Sequence, residues 1–404
     1  MLTKRLSISL ALVCISILVL LSCAASTMQP TEAPFQGHKA ILVDRAPNND
    51  FWDYPNRVLL IDMDTGDLLA ERSVAKNPAL AISADGELIA AMSHFSDGIR
   101  WERSYRLQIF DSRNLKLIDE AYVPSDHLKS MRICDLGVIA FGDNNRCVVV
   151  PRYIAGSYGG PAKWTAFDLK AKGANMEGFY PVSTKWKECV GGTVARWPIL
   201  GTSHWPLFDI YFAGLEEVHT FNFATGGNEK FSLLNEQEGG SDSCSDQQVS
   251  ATPGLAFADR EGRECFYVPK DGKPGRIKRI NLSRRPLAFE KISSSTIASV
   301  NPSIHAICET RKRLFVATYV PPRSEKNTTE IRVFDSETLN ELEPIDAGMP
   351  FSILDTSEDG SHLYVVGQSE IRVFDLARNE LIRSITKVAS RIGIFEYVPT
   401  RTKE

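Results

Sequence analysis

Ile331-Arg332-Val333-Phe334-Asp335 and Ile371-Arg372-Val373-Phe374-Asp375 are the same five residues, 40 positions apart. Apolar side chains at alternate positions, ending in an acid, describe a β-strand with a capped end. An Asp or Asn there can bond the backbone two residues on and start a turn. Five looser copies precede the pair: Val58 to Asp62, Leu107 to Asp111, Trp164 to Asp168, Val218 to Asn222 and Ile277 to Asn281. Successive copies lie 40 to 59 residues apart. A strand-rich period of about 40–50 residues is that of propeller blades rather than of helical solenoids.

Outward from each copy, other pieces of a blade are legible. Asp62-Met63-Asp64-Thr65-Gly66 supplies a turn, and Leu68-Leu69-Ala70-Glu71 begins an outer strand. Ala81-Ile82-Ser83-Ala84-Asp85-Gly86 followed by Leu88-Ile89-Ala90 is strand, Asp-Gly turn, strand, a short-range hairpin signal. Ser357-Glu358-Asp359-Gly360 before Leu363-Tyr364-Val365-Val366 repeats it, and Gly142 to Asn145 before Val148 is a degraded copy. Ala40-Ile41-Leu42-Val43 is a strand without an inner partner, and the chain ends on an unpaired strand, Ile392 to Val398. Pairing these two removes two exposed sheet edges. The expected fold is all-β: a seven-bladed β-propeller over residues 38–404, closed by the C-terminal strand pairing with the first blade.

The N-terminus reads as a targeting segment. Lys4 and Arg5 precede an apolar run, Leu6 to Leu21, and then Ser22-Cys23-Ala24-Ala25-Ser26. This is the order of a secretory signal, here residues 1–22. The run is shorter than the roughly 20 residues a stable span requires. Leu20-Leu21-Ser22-Cys23 resembles the bacterial lipoprotein cleavage box, whose cysteine becomes the lipid-bearing first residue. Cys23 is thus the expected lipid attachment point; plain secretion and a retained anchor are the alternatives. Residues 23–37 read as a flexible tether. The expected location is the periplasm or cell envelope, with the membrane reached through the lipid.

With 404 residues and a formal net charge of −4, the chain offers no strongly basic surface, and nucleic acid is not an expected partner. The cysteines beyond the N-terminal segment, Cys134, Cys147, Cys189, Cys244, Cys265 and Cys308, show no CxxC or CxxCH spacing. One disulfide at most is expected, Cys189 with Cys244 as the candidate, although six cysteines allow 15 pairings. Cys147 and Cys265 adjoin apolar runs that suit buried thiols. The seven histidines, His38, His94, His127, His204, His219, His305 and His362, are scattered without HExxH. Each by itself reads as a surface or packed residue, although ligands can converge from separate blades. No GxSxG elbow, phosphate loop or dinucleotide fingerprint occurs. No catalytic, cofactor-binding or metal residue is therefore assigned on this chain. Trp186, Trp197 and Trp205 crowd one irregular stretch and are the candidate ligand or partner surface, with gap-filling between blades as the alternative.

The repeats resemble those of the YVTN-type seven-bladed propellers, and among them the heavy (beta) subunit of bacterial amine dehydrogenases. The closest stretch is Ile82 to Pro124, with Asp85-Gly86, Phe95-Ser96, Glu102-Arg103, Tyr105 and Phe110-Asp111. Cys189 lies near one of that family's cysteines, whereas Ala213 stands about where its partner would be. The resemblance implies a periplasmic scaffold whose tryptophan-derived quinone resides on a separate light chain, so no cofactor on this polypeptide. The leading expectation is a non-catalytic scaffold binding a protein or small molecule at the propeller mouth. A heavy-chain-like amine dehydrogenase subunit and a metal-dependent lactonase-like hydrolase are the alternatives.

Overall fold

The computed structural model describes residues 37–45, 56–83 save 75, 85–95, 104–123, 254–259, 263–269, 274–319 save 283, 285 and 287, and 328–399. Between 140 and 232 it describes the strands given below. For residues 147–258 the description is one of backbone alone.

The described residues form strands and turns, with no helix among them. The first sheet contains β1 (Lys39–Asp44), β2 (Asn56–Asp62) and β3 (Leu68–Val74). The second is β4 (Lys76–Ile82), β5 (Leu88–Phe95), β6 (Ser104–Asp111) and β7 (Leu117–Val123). Next come β8 (Ala140–Phe141), β9 (Cys147–Arg152), β10 (Ala162–Asp168) and β11 (Gly173–Tyr180). The fourth sheet is β12 (Pro198–Ile199), β13 (Leu207–Phe212), β14 (Leu215–Phe221) and β15 (Asn228–Ser232). The fifth is β16 (Gly254–Ala258), β17 (Glu264–Pro269), β18 (Lys278–Asn281) and β19 (Phe289–Ile292). The sixth is β20 (Val300–Cys308), β21 (Arg313–Thr318), β22 (Glu330–Asp335) and β23 (Ile345–Asp346). The seventh is β24 (Ile353–Thr356), β25 (His362–Val366), β26 (Glu370–Asp375) and β27 (Glu380–Thr386). The last strand, β28 (Ile392–Val398), pairs antiparallel with β1, Lys39 facing Val398, and completes the first sheet as β28-β1-β2-β3. Among the described residues, seven four-stranded antiparallel sheets, six of them meanders of consecutive strands, give an all-β, propeller-like fold.

Every copy of the repeated motif lands on the third strand of a sheet: β2, β6, β10, β14, β18, β22 and β26. The acids do what their position predicts. Asp62 Oδ1 accepts from the amides of Asp64 and Thr65 at 2.7 and 3.0 Å. Asp335 accepts from Glu337 and Thr338, and Asp375 from Ala377 and Arg378. The Asp-Gly hairpins are equally local: Gly86 and Gly360 adopt φ of 71° and 68°, which costs glycine nothing. The degraded copy at residues 142–145 lies outside the described residues.

Packing follows from strand alternation. Ile41 and Val43 pack with Leu80, Ile89, Ala91 and Phe110 of the second sheet. Their neighbours Ala40 and Leu42 join Val366, Ile371, Val373 and Ile385 of the seventh. A period of two with both faces covered explains why β1 reads as a continuous apolar run. The outer strands differ: Leu68, Leu117, Ile118, Leu381 and Ile382 are exposed.

Arginines also link successive sheets by donating to backbone carbonyls in the turn after the next sheet's motif. Arg72 reaches Leu115 at 3.0 Å, Arg279 reaches Ser336 at 3.1 Å, and Arg313 reaches Leu376 at 3.2 Å. Arg383, on the seventh sheet, reaches Met63 on the first at 2.9 Å. The junction of first and seventh sheets, hereafter the seam, is further held by Asp355 Oδ2, which accepts from Tyr397 N at 2.7 Å.

Candidate functional site at the seam

The residues singled out in the sequence, Cys23, Trp186, Cys189, Trp197, Trp205 and Cys244, lie outside the described residues. So does the apolar run 6–21; among the described residues no helix is long and apolar enough to cross a membrane. Cys265 and Cys308 are buried thiols.

The structure instead brings together residues that are remote in sequence. In the seventh sheet the β24–β25 turn carries Asp359, and His362 is the first residue of β25. In the first sheet the corresponding position is not a turn, because its two inner strands come from opposite ends of the chain. His38, the residue before β1, occupies that place. Asp64, in the turn after β2, stands beside it.

His38 Nδ1 is 3.1 Å from Asp64 Oδ1, and the His38 amide donates to Asp64 Oδ2 at 2.9 Å. On the other side of the ring, His38 Nε2 is 3.5 Å from Asp359 Oδ2. The imidazoles of His38 and His362 meet edge to face, centroids 4.9 Å apart. Ser361 Oγ donates to Asp359 Oδ1 at 2.7 Å and lies 2.6 Å from His362 Nδ1. Beneath the two imidazoles, Tyr364 and Tyr397 stack at 5.7 Å. The Tyr364 hydroxyl is buried and makes no hydrogen bond with a described residue.

The electrostatics favour ionised acids and a neutral His362. Burial acts to raise Asp359, but hydrogen bonds from Ser357 and Ser361, with the charge on His38, outweigh it and hold the carboxyl at about 2. Burial likewise opposes Asp64, whose pKa the His38 donors still bring below its ordinary value. His362 is lowered, first by burial and then by His38. One ligand atom from each of His38, Asp359 and His362 lies within 4.8 Å of the other two, a set that could hold a metal ion.

Sequence spacing concealed this cluster, since His38 and His362 are at opposite ends of the chain. One signal was available. With the repeats aligned on their terminal acids, Lys39 faces Asp62 and His362 faces Asp375, so the two histidines fall one repeat position apart on sheets brought together by pairing the ends.

No protein-family model matches the chain, and no curated sequence matches it. Solved structures do match in fold. A functionally unknown protein from Desulfotomaculum acetoxidans is 11% identical with a TM-score of 0.59, over 90% of this chain and 100% of the other. The periplasmic gluconolactonase PpgL of Pseudomonas aeruginosa is 13% identical with a TM-score of 0.57, over 90% and 99%. A Bacteroides fragilis protein, provisionally assigned as a 6-phosphogluconolactonase, is 15% identical with a TM-score of 0.57, over 90% and 98%. At these identities the likeness is one of fold, and the class it defines is that of propeller proteins.

Proposed function

We propose that the chain is an exported, lipid-anchored, seven-bladed propeller, closed through β28, that serves as a non-catalytic scaffold for a protein or small ligand at its mouth. The observation that carries this reading is how the repeat spends its acids. Asp62, Asp111, Asp335 and Asp375 all cap the turn after their strands, as Asp85 and Asp359 cap hairpins. Carboxylates engaged in this way build a rigid frame, on which loops can vary for recognition. Cys23 is the proposed lipid site and Trp186, Trp197 and Trp205 the proposed recognition surface.

The test is affinity capture of the tagged protein from its native envelope, with mass spectrometry of the eluate. A stoichiometric partner, lost when Trp186, Trp197 and Trp205 are replaced by Ala, supports the scaffold. A small, cysteine-dense partner carrying a quinone would move the reading to an amine dehydrogenase heavy chain. Cys23→Ser should release the protein from the membrane fraction; unchanged partitioning would count against lipidation.

A second reading, a lactonase-like hydrolase, draws on the fold shared with PpgL and on the His–Asp set at the seam. It requires aldonolactone hydrolysis by the purified chain and loss of that activity on chelation.

A further inference from the structure

The partners of the two seam imidazoles assign their protons. Asp64 is an acceptor only, so His38 Nδ1 carries the hydrogen between them at 3.1 Å. Ser361 spends its own hydrogen on Asp359 at 2.7 Å, so its oxygen receives the Nδ1 hydrogen of His362 at 2.6 Å. Both Nδ1 hydrogens are thereby engaged, which leaves Nε2 of each ring as the nitrogen available to a ligand. A carboxylate, hydroxyl or carbonyl behind the Nδ1 hydrogen is the usual support of a metal-ligating histidine.

The consequence is sharpest at His38. Its Nε2 faces Asp359 Oδ2, an acceptor, at 3.5 Å. An imidazole nitrogen and a carboxylate oxygen this close are joined either by a hydrogen on the ring or by a cation that both ligate. Two ligands at about 2 Å on a tetrahedral ion stand about 3.3 Å apart, close to what is observed. His362 supplies a third donor within 4.8 Å.

We propose that His38, Asp359 and His362 bind a divalent transition-metal ion of the zinc class across the seam, with Asp64 and Ser361 as positioning residues that orient the two imidazoles. Two imidazoles and one carboxylate suit zinc rather than calcium or magnesium, which prefer oxygen donors. Three protein ligands leave a fourth position for water or an added group. The ion would tie the residue at which the chain enters the fold to the last sheet. This inference does not rest on the scaffold reading, and it holds whether or not the protein is an enzyme.

The test is titration of the full-length protein, in detergent and freed of metal, with Zn²⁺ by calorimetry and with Co²⁺ by visible absorption. One ion per chain is expected, with Co²⁺ giving the intense bands of a tetrahedral site. His38→Ala and His362→Ala should each weaken Zn²⁺ binding more than about 100-fold, and Asp64→Ala by about 10- to 100-fold. His219→Ala, on β14, should leave it unchanged. Asp64 is half exposed, so its substitution remains informative even where His362→Ala fails to fold. No saturable binding would overturn the proposal. So would binding that the His38 and Asp64 substitutions leave intact.

Discussion

Arg383 donates to the carbonyl of Met63 at 2.9 Å, across 320 residues of sequence. The same bond recurs between neighbouring sheets elsewhere in the chain, as with Arg313 and Leu376. The first and last sheets therefore meet as the first and second, the fifth and sixth, and the sixth and seventh do. That equivalence makes the seam the place where the fold is most directly tested.

Deleting residues 389–404 removes β28 and with it Phe395 and Tyr397, both buried in the seam core. The expected outcome is loss of most of the cooperative unfolding transition in calorimetry. An unchanged melt would refute closure through this strand.

Asp44 is the polar counterpart of that core. Only 5% of it is exposed; Oδ1 accepts from Ser390 N and Arg391 N at 2.8 and 3.1 Å, while Oδ2 pairs with Arg57 at 2.5 Å. Asp44→Ala strips three donors of their acceptor and should cost about 3 kcal/mol in chemical denaturation. Asp62→Ala, which loses only a local turn cap, should cost about 1 kcal/mol.

Two glycines separate backbone strain from steric clash. At Gly66, φ is 85° and an added Cβ would come no nearer than 3.3 Å to Ile385. Gly66→Ala should therefore cost about 1 kcal/mol from backbone conformation, plus a shift of a few tenths of an ångström in the Ile385 side chain. At Gly86, φ is 71° and the Cβ would lie 2.0 Å from the carbonyl oxygen of Pro399, just beyond β28. Gly86→Ala should cost at least about twice as much and should destabilise the C-terminal strand first, as hydrogen exchange of β28 would show.

Two groups give opposite pH limbs. Burial lowers His305 from 6.5 to about 4, against its hydrogen bond to the Pro302 carbonyl. The unfolded chain then takes up a proton below pH 6.5 that the native state refuses, so stability falls as pH drops from 6.5 to about 4. Because His305 retains some accessible surface, the loss is about 2 kcal/mol rather than the full-burial value. Burial, then Glu309, raises Asp259 from 3.8 to about 7, outweighing backbone donors and Arg263. Its contribution runs the other way, present below pH 3.8 and lost as pH rises towards 7. The two limbs oppose each other between these limits, so the single substitutions should each expose the other. His305→Gln should remove the acid-side loss and Asp259→Asn the loss on raising pH, each visible in urea midpoints taken from pH 4 to 7.

The all-β class, the repeat and its place in each sheet were legible because they depend on local chemistry. Alternating apolar residues make a strand with two buried faces, and an acid at its end finds amides two and three residues away. Asp62 and Asp335 could be read in this way without knowing what lay beside them. The seam cluster could not. His38 looks like an isolated histidine after a tether, and Asp64 and Asp359 look like turn residues, which they also are.

Local sequence sufficed for the repeated strands, their order and the turns after them, since hydrogen bonds within turns and hairpins span only a few residues. Tertiary structure alone decided that His38 would stand in for a missing hairpin turn and face Asp359 and His362. That proximity arises from the pairing of β28 with β1, a contact between chain ends whose register is set by packing on both faces of the sheet rather than by any residue nearby in sequence.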